Sequence, residues 1–123
     1  MARTVITATD MAKIKMVGDT PTTKVATTID AALVTAGVAI DAGLDSKVLI
    51  KVINSFAGAK ILYLQSHISD NEDWSNSFAQ DAEKMFVVET ARFEAQSGTD
   101  RGLLLIDFEA GFTGSIEVYA MPK

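Results

Sequence analysis

Across residues 45–121 the apolar positions fall into short runs separated by turn-forming residues, and within the runs the period is two. In residues 47–53, Val48, Ile50 and Val52 alternate with Leu49, Lys51 and Ile53. One face of that extended segment is wholly apolar and the other is mixed. Residues 86–89, 103–108 and 115–121 repeat the cadence. Strands of this length at near-regular spacing predict an all-β single domain, either a β-sandwich or a jelly roll.

The same pattern places strands over 47–53, 60–68 and 84–89, and a final hairpin of 103–109 and 115–121 around the turn 110–114. Asn54-Ser55-Phe56-Ala57-Gly58 reads as a hairpin-type loop, 69–77 as a long polar loop and 97–102 as a turn. Leu103, Leu104, Leu105 and Ile106 are apolar on both faces, which predicts a central or inter-subunit strand. Residues 23–123 make up the expected sandwich domain.

Residues 1–22 form a separate first unit. Thr4, Val5, Ile6 and Thr7 have β character, Met11 to Met16 could make about one and a half helical turns, marginal in isolation, and Gly18-Asp19-Thr20-Pro21 signals a loop. Two readings stand: a first edge strand plus linker, or an extended N-terminal arm that orders on a neighbouring subunit. Thr4, Val5 and Ile6 are candidate partner contacts on the second reading, because an extended arm can add a strand to a neighbour's sheet edge.

Residues 24–42 are ambiguous. Ala31, Ala32, Ala36 and Ala39, with Asp30 as an N-cap, suit a helix. Val25, Val34, Thr35, Val38 and Ile40 are β-branched and Gly37 interrupts the run, which favours two strands around a turn.

Composition narrows the function classes. At 123 residues the chain suits one domain, and 48% hydrophobic residues suffice for a core. Much of that content is Ala and aromatics are only 7%, so the sheets pack thinly and oligomerisation is expected. The formal charge is −5 and the eleven basic residues are scattered, which disfavours direct nucleic-acid binding and anionic membranes. There is no cysteine, hence no disulfide framework and no thiolate chemistry. The first sixteen residues lack the apolar core of a signal peptide, and the longest apolar run, 31–40, is too short to span a bilayer. A soluble protein made in the cytoplasm is the expectation.

Candidate chemistry is sparse. His67 with Asp70, Glu72 and Asp73 makes a poor transition-metal site, since one imidazole is not a ligand set. Residues 70–73 lack the ligand spacing and the central Gly of a calcium loop. Asp107, Glu109 and Glu117 could face one another across the final hairpin, but nothing suggests a cleft for glycosidic chemistry, and a solvated strand face with Arg92 and Arg101 as ion-pair partners is expected. No nucleophile elbow or phosphate loop is present. No enzyme and no cofactor is expected. Trp74, the sole tryptophan, with Phe78 four residues on, is either a contact anchor or a lid over one end of the barrel.

The stretches KVLIKVINSFAGAKILYL, EKMFVVETARFEAQSGTDRGLLLID and GSIEVYAMP give the order strand, Asn-Ser turn, strand, polar loop, strand, Arg-Phe, Gly turn, strand, Gly turn, strand. In that order the last 80 or so residues resemble small β-rich structural proteins of tailed-bacteriophage virions. The resemblance implies a β-sandwich or jelly roll that decorates or cements a capsid shell, with no catalytic residues. It implies the major capsid protein and further copies of this chain as partners, in a homo-oligomer such as a trimer, and a place on the capsid surface. The alternatives are a tail or neck component, or a non-viral β-sandwich module that binds carbohydrate or protein.

Overall fold

The computed structural model describes residues 3–12, 15–42, 47–65, 73–89, 93, 95 and 102–121. The described elements are mostly strands: β1 (Thr4–Thr7), β2 (Thr9–Asp10), β3 (Thr27–Ile29), α1 (Ala31–Ala36), β4 (Val38–Asp41), β5 (Lys47–Asn54), β6 (Lys60–Leu64), β7 (Trp74–Phe78), β8 (Glu83–Glu89), β9 (Leu104–Phe108) and β10 (Gly114–Ala120). One sheet runs β1-β4-β9-β6-β7. The other runs β2-β10-β5-β8, with β3 also paired to β10.

The eight strands β3 to β10 pair as a folded-over hairpin: β3 with β10, β4 with β9, β5 with β8 and β6 with β7, all antiparallel. Two further antiparallel pairings, β10–β5 and β9–β6, complete the sheets. This is the strand order of a jelly roll, and it decides between the two expected architectures.

Period-two burial explains the elements. Val48, Ile50 and Val52 are fully buried while Lys47 is exposed and Leu49, Lys51 and Ile53 are half-buried. Facing them across the sandwich are Val38 and Ile40, Leu62 and Leu64, and Leu104 and Ile106, in one continuous core. The four-residue apolar run at the start of β9 does mark a central strand, between β4 and β6. Its outward Leu105 packs with Ala39 and Ala95 on the far face of that sheet.

Several expectations need correcting. Residues 103–121 do not form a hairpin: β9 and β10 lie in different sheets, and the turn between them crosses the sandwich. The loop 55–59 likewise carries the chain from β5 in one sheet to β6 in the other. Buried Asn54 holds that corner, donating from Nδ2 to the carbonyls of Gly58 (3.0 Å), Phe78 (3.0 Å) and Ala79 (3.2 Å) and accepting from the Phe56 N–H (3.0 Å). Residues 74–77, read as polar loop, form most of strand β7.

Residues 24–42 contain both alternatives. The turn between β3 and β4 is the helix α1, capped where Asp30 accepts from the Leu33 N–H at 2.9 Å. Six residues are too few to hold a helix alone, and buried Leu33 anchors this one to the core. Gly37, at φ 79°, ends it and turns the chain into β4. The described residues of 11–16 form no helix.

The N-terminal segment packs on its own domain. β1 runs parallel to β4 and β2 runs parallel to β10, so residues 4–10 pass from one sheet to the other and close one side of the sandwich. Ile6 and Ala8 pack against the core, and the Thr4 and Ala8 N–H groups bond to the Gly37 and Asp41 carbonyls at 2.9 Å. On the opposite side, β7 and β8 end their sheets and the short connection 79–82 joins them.

Candidate functional site

Two outward surfaces carry the chemistry. The first is the outer face of the β10-β5-β8 sheet, where side chains stand in cross-strand rows: Ser115, Ile53 and Glu83; Glu117, Lys51 and Met85; Tyr119, Leu49 and Val87. Met85 is 63% and Val87 57% exposed, so the β8 end of this face is apolar and open. At the β10 end the segment 23–26 lies across it, and Glu117 is buried there at 3% exposure.

Glu117 accepts a short hydrogen bond from the Tyr119 hydroxyl, which in turn accepts from the Val25 N–H at 3.3 Å. Lys51 Nζ stands 3.5 Å and Lys24 Nζ 3.8 Å from Glu117 Oε2, and Lys51 also pairs with Glu83 at 2.7 Å. Burial pushes the Glu117 carboxyl up, but the Tyr119 hydroxyl and the two ammonium groups together outweigh it and hold the group below its ordinary value. Burial, then the hydrogen bond to Glu117, pushes the Tyr119 phenol up. The Lys51 ammonium is held above its ordinary value, first by its bond to Glu83, so it stays charged and is no nucleophile.

The second surface is the open side between β7 and β8. Trp74 and Phe86 meet there, ring centroids 4.8 Å apart and planes tilted by 45°. Leu64, Trp74, Phe86, Val87, Val88 and Phe93 line a cleft of about 190 Å³. All six are apolar.

The predicted contacts separate. Trp74 is 37% exposed and sits at this cleft. Phe78 is 0% exposed and packs edge-on against Phe112 at 5.8 Å, so it is a core residue. Thr4, Val5 and Ile6 lie far from both in the topology, on β1 at the other side of the sandwich. Thr4 and Val5 are exposed there while Ile6 turns inward. His67, Asp70, Glu72, Arg92 and Arg101 lie outside the described residues.

Glu117, expected opposite Asp107 and Glu109 across a hairpin, lies in the other sheet. Asp107 is held by Arg3 at 2.8 Å and by the Gln65 amide at 2.6 Å. Glu109 accepts from the Ile61 N–H at 3.0 Å, and Glu117 is buried in the other sheet. Sequence reasoning missed the Lys51–Glu117–Tyr119 cluster, although the Glu-x-Tyr spacing on one strand puts both side chains on the same face and was available as a signal.

Among the described residues no group of three or more His, Cys, Asp or Glu side chains is placed to hold a metal ion, and no helix is long and apolar enough to cross a membrane. The chain matches no family model, no curated protein and no solved structure. Fold and surface therefore define a class on their own evidence: a jelly-roll β domain with a buried, ion-paired carboxylate on one face and an apolar cleft at its β7–β8 side.

Proposed function

We propose that this chain is a virion structural protein, most directly a head-decoration protein that binds and stabilises a capsid shell from outside. The observation that carries the reading is the jelly-roll strand order closed in cis by β1 and β2, with apolar surface left at the β7–β8 side. Jelly rolls serve widely as shell and recognition domains, and a cement protein needs a compact body with contact surface and no catalytic cleft. Modest contacts repeated over a shell add up through avidity. The partners on this reading are the major capsid protein and further copies of the chain, at the capsid surface.

A carbohydrate- or protein-binding module is the reading from another class. Stacking on sugars calls for aromatics lined along an open face, whereas Phe56 in the β5–β6 corner and Tyr63 on the outer face of β6 stand apart, and Trp74, Phe86 and Phe93 share a cleft of only about 190 Å³. The structural reading is favoured for that reason. Quantitative mass spectrometry of purified particles, against the major shell protein, tests it. A ratio near one supports decoration, a handful of copies moves the chain to the neck or tail, and absence from particles overturns the virion reading.

A further inference from the structure

We propose that residues 23–26 form an acid-released latch: protonation of Glu117 frees Lys24, lifts the segment off the β10–β5 face and bares Tyr119. The device belongs to the fold itself and holds or fails whether or not the chain sits on a particle.

The segment is a bridge between two fixed ends. At one end the Thr22 hydroxyl accepts from the Ala12 N–H and donates to the Asp10 carbonyl at the end of β2. At the other, Thr27 pairs with Ile116 as β3 begins. All four residues between are exposed. β2 pairs with β10 at Tyr119 and Ala120, and β3 pairs with it at residues 114–116. No described strand therefore pairs with Glu117 and Val118 on the side away from β5. Among the described residues, two side-chain contacts hold the bridge over that gap: the Val25 N–H on the Tyr119 hydroxyl at 3.3 Å, and Lys24 Nζ at 3.8 Å from Glu117 Oε2. Both lead to one carboxylate, because the Tyr119 hydroxyl donates to Glu117 Oε1.

That carboxylate also keeps two like charges together. Lys51 Nζ and Lys24 Nζ converge on the same atom, Glu117 Oε2, at 3.5 and 3.8 Å. The oxygen is buried and accepts no hydrogen bond among the described residues, so the two ammonium charges are what compensate it. Protonation removes the anion between them and leaves two ammonium groups repelling across a neutral acid. Lys51 stays, because it is paired to Glu83 at 2.7 Å and its side chain is only 23% exposed. Lys24, with its side chain 62% exposed, moves into water and takes the bridge with it. The Tyr119 bond to Glu117 loses its charge assistance in the same step, which weakens the hydroxyl that Val25 uses.

The charged and titratable groups around Glu117 come from four elements: Tyr119 on β10, Lys51 on β5, Glu83 on β8 behind Lys51, and Lys24 on the bridge. Together they hold the Glu117 carboxyl below its ordinary value, so the latch is closed at neutral pH and opens in acid. Opening changes the surface. Tyr119, now buried, shares a cross-strand row with half-buried Leu49 and exposed Val87. With the bridge lifted, the apolar surface at the β8 end of this face extends across β5 to β10, and the protein presents a larger apolar face in acid than at neutral pH.

Backbone NMR of the full chain, titrated from neutral pH into acid, tests the proposal. Protection of the Val25 amide, corrected for the pH dependence of intrinsic exchange, is expected to fall about tenfold with the midpoint of the Glu117 side-chain carboxyl signal. The amides of Ile50 and Val52, on a strand paired on both sides, should keep theirs. Glu117→Gln separates Glu117 from Glu83, since it removes one charge at fixed pH, and should show the lowered Val25 protection at neutral pH. Adding Lys24→Gln to that variant should restore most of it, because the repulsion needs both ammonium groups. A Val25 amide that stays protected through the Glu117 titration overturns the proposal. So does one that loses protection only together with Ile50 and Val52, which is unfolding of the domain and not release of a latch. A double variant as open as Glu117→Gln also overturns it, by placing the hold in the Tyr119 hydrogen bond and not in the charges. Should Glu117→Gln fail to fold, the wild-type titration still decides.

Discussion

Arg3 and Asp107, 104 residues apart in the chain, form a 2.8 Å ion pair on the outer face of the β1-β4-β9-β6-β7 sheet. The same guanidinium donates to the carbonyls of Val38 and Ile106, so one side chain spans β4 and β9 just before β1 begins. The side chain of Arg3 is 17% exposed and that of Asp107 39%, so solvent screens the pair in part. Arg3→Ala should cost about 1–2 kcal/mol in urea unfolding. It should also raise amide exchange selectively at residues 4–6, because β1 loses its clamp to β9. Uniform exchange across the sheets would contradict that role.

Phe78 and Trp74 sit on the same strand four residues apart and should respond differently. Phe78→Ala empties a fully buried site against Phe112 and should cost about 3–5 kcal/mol. Trp74→Ala removes a half-exposed ring and should cost about 1–2 kcal/mol, its tilted contact with Phe86 included. Equal losses in chemical denaturation would contradict the assignment of one to the core and the other to the surface.

Asn54→Asp should be worse than Asn54→Ala. The alanine leaves three carbonyls and the Phe56 N–H without their side-chain partner, at about 2–4 kcal/mol. The aspartate additionally sets a carboxylate against those carbonyl oxygens in a buried site. Thermal unfolding of the two variants should rank them in that order at neutral pH, with the gap shrinking as acid protonates the aspartate.

Glu117 makes stability depend on pH at the acid end. Its folded value is lowered, so the unfolded chain binds the proton more readily. The contribution is present above the ordinary carboxyl value of 4.5 and is lost as pH falls through the folded value. The groups facing it are Lys51, Lys24 and Tyr119, with Glu83 behind Lys51. Glu117→Gln should therefore flatten the acid limb of the stability profile and lower stability at pH 7 by about 1–3 kcal/mol. An unchanged acid limb would show that other carboxylates set it.

Gly114→Ala should fail to give stable protein. Gly114 sits at φ 137°, and an added Cβ would overlap the Ile53 carbonyl on the neighbouring strand. No flexible side chain can yield there, so the strand pairing itself must break. Gly102→Ala, at φ 85° with open space around it, carries only the backbone strain and should remain folded. Soluble yield and circular dichroism separate the two.

Strands β5, β8 and β10 were legible to within a residue or so, because alternation along them directly reports one buried face. Strand β7 was not: Trp-Ser-Asn-Ser-Phe presents apolar side chains only at its ends, and its middle is polar because it lies at a sheet edge. The buried acid was hidden for a different reason. Glu117 points to the outer face, which alternation marks as solvent, and Lys24 and Val25 laid across that face, with Tyr119 and Lys51 beside it, remove it from water.

Residue order along the chain determined that β5, β8, β9 and β10 are extended, which face of β5 is apolar, and that one all-β domain results. Those are short-range matters of side-chain period and backbone freedom. Tertiary structure decided that β9 and β10 part into different sheets, that residues 4–10 stitch both sheets together, and that Trp74 lines a cleft while Phe78 fills the core. Turn residues look alike whether a chain doubles back or crosses a sandwich. Pairing is settled by burying every apolar face at once, across sequence separations as long as that of Ile29 and Gly114.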